Sequence, residues 1–161
     1  MPLPNLTLTR TWCFPKLFAR TGLTTAGLAT ELTYGTLRNQ GTYDAVLARC
    51  ADRPLHKIGT TTLIILRMGA HQLLKMRVPA HAALNQSVSL ARERIGSGPS
   101  GFINAVLRRV SERTADEWFE LIEAELKDET ERMGFATSHP AWIVRAMRQA
   151  LAAHGRDPQE I

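Results

Sequence analysis

Leu63-Ile64-Ile65-Leu66-Arg67-Met68-Gly69-Ala70-His71-Gln72-Leu73-Leu74 decides the fold class. Leu63, Leu66, Ala70, Leu73 and Leu74 recur at the spacing of one helix face, and Ile64 adds further apolar surface. A helix this apolar belongs at the centre of a core.

The same period extends outward in both directions. Upstream, Tyr43, Val46, Leu47 and Cys50 form a second amphipathic helix, ended by Arg53-Pro54. Before it, Leu28, Leu32, Gly35 and Leu37 predict a helix from Thr25 to about Asn39. Residues 1–24 read as irregular or partly helical, because Pro15 breaks any long helix there. Downstream, Pro79 is placed to begin a helix reaching about Ile95, with Ala80, Ala83, Leu84, Val88 and Ala91 inward. Gly96 to Gly101 is a dense turn signal. A helix from about Gly101 to Arg113 carries Phe102, Ile103, Val106, Leu107 and Val110. An acidic helix comes next, over about Ala115–Lys127, with Trp118, Leu121, Ile122 and Leu126 on one face. Residues 128–137 read as a loop. Ser138-His139-Pro140 then caps a last helix with Trp142, Ile143, Ala146, Met147, Ala150 and Leu151 at helical spacing, closed by Gly155. No period-two alternation flanked by turns occurs. The expected architecture is an all-α bundle with short connections.

A chain of 161 residues can bury a sizeable core without a metal or disulfide. The two cysteines, Cys13 and Cys50, show no CxxC or Cys/His pattern, so no zinc site is expected. No secretory segment and no membrane span is read, which points to the cytoplasm and reduced thiols. Charge is segregated. Residues 1–110 hold 14 Lys/Arg against 4 Asp/Glu, and residues 111–161 hold 6 against 11. A basic body with an acidic appendage attracts a polyanion to one side.

Catalytic constellations are scarce. There is no GxGxxG after a strand and no P-loop, and the Gly96–Gly101 run reads as an interhelical turn. His71 is placed near the polar edge of its helix, and His81 either caps its helix or meets a phosphate. His56 and His154 have no catalytic neighbours. Glu31 is a lone carboxylate, expected to pair with an arginine. Asn104, among apolar residues, is expected to tie two helices through a backbone group. Gly35 and Gly69 lie inside helices and imply close helix approach, since each costs about 1 kcal/mol there relative to Ala. The arginines are more informative. Arg38, Arg67, Arg77, Arg92, Arg94, Arg108 and Arg109 carry the fork that suits phosphates and unpaired bases. Arg108 and Arg109 cannot both face the core. With His81, these are the candidate RNA-binding residues, and the reading requires them to gather on one face.

Five blocks then resemble a known family. Glu31-Leu32-Thr33-Tyr34-Gly35-Thr36-Leu37-Arg38 is similar to the ELxYGxLR signature of the NusB-like domain in the Sun/RsmB family. Leu66–Leu74, Val78–Asn85 and Gly101–Arg109 resemble its later blocks, and Ser138-His139-Pro140-Ala141-Trp142 resembles its SHPxW element. The blocks occur in family order over about residues 25–145. The resemblance implies an all-helical, NusB-like domain that binds and positions small-subunit (16S) ribosomal RNA. In that family a C-terminal Rossmann-like domain binds S-adenosylmethionine and methylates carbon 5 of a cytosine through a cysteine nucleophile.

On this resemblance, residues 25–127 are the RNA-binding domain, and residues 128–161 are a linker and helix leading toward a methyltransferase domain. No catalytic residue, cofactor site or metal site is expected within these 161 residues, because neither cysteine matches the catalytic motif. The family's first helix is expected to be missing, leaving an exposed groove. The alternative reading is a NusB-type transcription antitermination factor, which regulates transcription by binding RNA and a ribosomal protein. A third is a helical adaptor whose acidic 112–131 segment makes the contact.

Overall fold

A computed structural model of the chain describes residues 25–76 and 78–158. Arg77, Cys13 and the expected gap left by a first helix fall outside the described residues. All regular structure among the described residues is helical. Helical turns at Thr25–Thr30 (α1) run through a π segment at Glu31–Gly35 into Thr36–Arg38 (α2). Then come α3 (Gln40–Cys50), a 3₁₀ turn at Leu55–Lys57, α4 (Thr60–Leu74), α5 (Ala80–Ile95), α6 (Gly98–Val110), α7 (Ala115–Glu125), α8 (Glu129–Ala136) and α9 (Ala141–Ala153).

The core is built where the sequence periods intersect. Tyr43, Val46, Leu47 and Cys50 from α3 meet Ile65, Leu66 and Ala70 from α4, and Ile103, Val106, Leu107 and Val110 from α6. Trp118 and Ile122 bring α7 onto this cluster, and the Trp118 indole donates to the Val110 carbonyl at 3.0 Å. The buried face of α5 is small: Ala83, Ser87 and Ala91. That face lets α4 and α6 approach closely. A Cβ on Gly69 would lie 2.6 Å from Leu107 Cδ1 and 3.0 Å from Ser87 Oγ. Gly69 is therefore a packing glycine, as its cost in a helix implies.

Several expectations need correction. The helix over residues 25–39 is interrupted by the π segment, so Leu37 is 60% exposed while Gly35 and Thr36 are buried. The Thr30 and Thr33 hydroxyls donate to the carbonyls of Ala26 and Ala29, at 2.9 and 2.7 Å. Such back-bonding competes for the helical carbonyls and disturbs the regular ladder. The turn at Gly96–Gly101 is shorter than read: Gly96, at φ 89°, and Ser97 suffice, and α6 begins at Gly98.

Residues 128–137 are largely helix, not loop. Asp128 caps α8, its Oδ1 accepting the Glu131 amide at 2.9 Å. The missed signal was Asp128-x-x-Glu131, a helix-start pattern. In α9 the buried residue is Val144, while Trp142 (63% exposed), Ala146, Met147 and Ala150 face outward. Only part of the expected face is covered: Ile143 and Leu151 are half-buried beside Val144, and the rest is exposed. Finally, His71 is buried at 1% exposure rather than lying on a polar edge. Its ring occupies the space a Cβ of Gly35 would need, at 2.5 Å from Nε2.

Candidate nucleic-acid interface

The two-residue link Gly96-Ser97 folds α5 and α6 into an antiparallel hairpin. Arg92 and Arg94 close α5, and Arg108 and Arg109 close α6. The two pairs therefore lie at opposite ends of the hairpin, roughly 15–20 Å apart at 1.5 Å per helical residue. His81, exposed in the first turn of α5, shares the end that carries Arg108 and Arg109. Each pair also complements the negative end of its own helix dipole.

Their freedom differs. Arg92 and Arg108 are exposed and have no hydrogen bond or ion pair among the described residues. Arg94 lies 3.9 Å from Glu93, a loose contact. Arg109 donates to the Cys50 carbonyl at 2.9 Å and so fastens α6 to the end of α3. Asn104 is half-buried and makes no side-chain hydrogen bond among the described residues, so it does not tie two helices. It sits one turn before Arg108.

Arg67 is committed elsewhere. Its Nε and Nη2 donate to the two oxygens of Asp44 at 2.7 and 2.8 Å, a bidentate clamp between α4 and α3. Arg77 lies outside the described residues. Arg38, exposed at the end of α2, lines an open groove of about 770 Å³ together with Lys75 and His139. The structure thus sets the predicted cations at separate stations, two at the hairpin ends and one at this groove, rather than in one cluster. Sequence reasoning assigned no role to Lys75 or His139. A cue existed for His139, which stands inside the Ser-His-Pro block.

One polar group of residues, buried at Tyr43 and His71, joins the π segment, α3 and α4. The Tyr43 hydroxyl lies 2.7 Å from His71 Nδ1. His71 Nε2 faces Glu31 Oε1 at 3.3 Å, outside good hydrogen-bond geometry. Glu31 therefore neighbours a histidine, not the arginine expected. Burial pushes the His71 pKa below its ordinary value, against a smaller opposing pull from Glu31. Burial, and then Glu31, raise the Tyr43 hydroxyl. Burial also pushes the Cys50 thiol up to about 11, so it is an inert core residue.

The comparisons with known proteins agree with this architecture. The model of the NusB family matches residues 19–112. A Mycobacterium tuberculosis (strain H37Rv) protein with the provisional name methyltransferase Rv1407 is 40% identical over 142 residues, covering 86% of this chain and 31% of that protein. The Bacillus subtilis protein provisionally named ribosomal RNA small subunit methyltransferase B is 34% identical over 125 residues, 77% of this chain and 27% of its own length. Ribosomal RNA small subunit methyltransferase B of Pseudomonas putida is 32% identical over 122 residues, 76% of this chain and 26% of its own length. The chain spans less than a third of the length of these curated relatives. No solved structure matches. With the family model covering more than half of an all-helical chain, this protein belongs to the NusB family.

Proposed function

We propose that this chain is the RNA-binding domain of a small-subunit rRNA cytosine-5 methyltransferase, docking 16S ribosomal RNA and positioning it for a catalytic domain outside these 161 residues. The observation that carries the reading is the set of exposed cations left unpaired on a basic helical body, Arg38, Arg92 and Arg108. Phosphate contacts from such side chains set the register of an RNA, and stacking or base-edge contacts add selectivity. The cations miss the single face that the sequence reading required; what remains is their exposure, and one extended RNA strand can cross several separate stations.

The methyl donor of that reaction is S-adenosylmethionine. Among the described residues no strand is present to carry a Gly-rich nucleotide turn, and none of them is assigned to cofactor binding. The described residues contain no group of three His, Cys, Asp or Glu placed to hold a metal ion, and no described helix is long and apolar enough to cross a membrane. A cytoplasmic site of action is inferred from the proposed ribosomal substrate.

The test is a titration of the purified chain with small-subunit rRNA fragments at increasing salt. The logarithm of affinity is expected to fall linearly with the logarithm of salt concentration. Affinity indifferent to salt overturns the reading, as does methyl transfer by the isolated 161 residues. The antitermination alternative predicts instead a stable complex with a ribosomal protein, and the methyltransferase names of the relatives speak against it.

A further inference from the structure

We infer that the groove between Arg38, Lys75 and the turn at residues 137–140 is a subsite for a single unpaired nucleotide of the RNA, its phosphate held by Arg38 and Lys75. The inference rests on the RNA-binding reading above and gives it a location that the arginine pattern did not reveal.

The charge of the groove is its first argument. About 770 Å³ of open space is lined by Arg38, Lys75 and His139 with no carboxylate. A neighbouring groove, which shares Arg38, Ser138, His139 and Pro140 with the first, is lined by Asp44 and Glu131 as well as Arg49. Arg49 is already paired with Glu125 there, and Asp44 with Arg67. An anion thus meets cations alone in the first groove, whereas cations and carboxylates balance along the second. Arg38 has no hydrogen bond or ion pair among the described residues. Lys75 lies 5.5 Å over the Phe119 ring and has no ion pair among the described residues.

The second argument is the built geometry of the turn. Ser138 stands at φ 58°, the one non-glycine residue with positive φ among those described. Its hydroxyl donates to Asn39 Oδ1 at 3.2 Å and lies 3.4 Å from the Thr42 hydroxyl. The Asn39 amide in turn donates to the Gly35 carbonyl at 2.9 Å. A conformation that L-residues rarely adopt is held here by contacts to a distant part of the chain, and such strain collects at functional sites. It places His139 on the rim. The carbonyl of Thr137, 2.7 Å from His139 Nδ1, can only accept, so Nδ1 carries the hydrogen and Nε2 is left for a partner.

The third argument is the floor. Pro140, Ile143 and Phe119 give the groove an apolar side. That side suits the face of an unstacked base. A duplex presents no free base to enter such a recess, so the ligand is single-stranded.

The test uses the full chain and two labelled probes, a mixed-sequence single-stranded RNA octamer and the same octamer annealed to its complement. Arg38→Ala and Lys75→Ala are expected to weaken octamer binding about 5- to 10-fold each. Each should also lower the slope of log affinity against log salt by about one. The duplex should bind more weakly than the single strand and respond less to either change. Both residues are exposed, so an unchanged circular dichroism melt is expected and confirms folding. Octamer affinity and salt slope unchanged in both variants overturn the subsite, while salt-dependent binding by the parent chain keeps the general RNA reading. No octamer binding by the parent chain overturns both. Loss that is equal for single strand and duplex overturns the unpaired-nucleotide assignment.

Discussion

Tyr43 on α3 and His71 on α4 share a buried contact, hydroxyl to Nδ1, at 2.7 Å. The Glu31 carboxylate beyond the ring can only accept, which favours a hydrogen on Nε2 and leaves Nδ1 to accept from the tyrosine. Tyr43→Phe keeps the ring and removes that donor, leaving Nδ1 buried without a partner. The expected loss is about 1–3 kcal/mol of unfolding free energy, read by urea denaturation.

The same histidine makes stability depend on pH. Its folded pKa lies below the unfolded value of 6.5, chiefly through burial, with Glu31 pulling upward and Lys75 downward. The unfolded chain therefore binds the proton first as pH falls. Stability contributed by neutral His71 is present above the unfolded pKa and declines as pH drops from about 6.5 toward the folded pKa. Melting temperatures measured from pH 7.5 to 5 should fall in the parent and fall less steeply in His71→Gln. Identical slopes would remove His71 as the cause. The lowered carboxylates Asp52, Glu117 and Asp128 act below this window, where acid takes their stabilising charge away.

Gly69→Ala should destabilise the fold although alanine is the better helix former. The new methyl would meet Leu107 at 2.6 Å, and Leu107 is fully buried. Overpacking of this kind costs about 1–3 kcal/mol, against a propensity gain of about 1. Equilibrium unfolding measures the balance. A variant more stable than the parent would mean that Leu107 has somewhere to go.

The arginines divide by what already holds them. Arg67→Ala breaks the clamp on Asp44 and should lower stability by about 1 kcal/mol, with RNA affinity reduced less than threefold. Arg92→Ala combined with Arg108→Ala should do the reverse, weakening RNA binding about tenfold or more while the melt falls only slightly, by the lost helix-dipole contacts. Fluorescence anisotropy and thermal denaturation, run on the same preparations, separate the two outcomes.

Asp128→Ala removes the cap of α8. A lower melting temperature in a thermal denaturation is expected, since the Glu131 amide then has no intramolecular acceptor; an unchanged melt would show that water replaces the cap without loss.

Legibility in the sequence depended on whether the determinant is local. The faces of α3 and α6 were legible because each is a simple i, i+3, i+4, i+7 set whose members all enter the core. Gly69 was legible because a glycine in a helix demands a neighbour that repays it. His71 was misplaced because its burial depends on Gly35 in another helix, a contact that no local period records. The face of α9 was misjudged for a related reason: an apolar stripe states what would prefer to be covered, not what covers it. Charge identity was readable, but pairing was not. Arg67 and Arg38 look equivalent in sequence, and only the fold puts Asp44 beside the first.

The π segment at Glu31–Gly35 holds one residue more than an α-helix needs for the same rise. That surplus is slack. Excising that one residue would let the coil close into ordinary α turns while the turns on either side keep their phase, so Leu28 would stay against the bundle. The same excision from the regular α4 has no surplus to draw on, and would rotate every turn beyond it by about 100°.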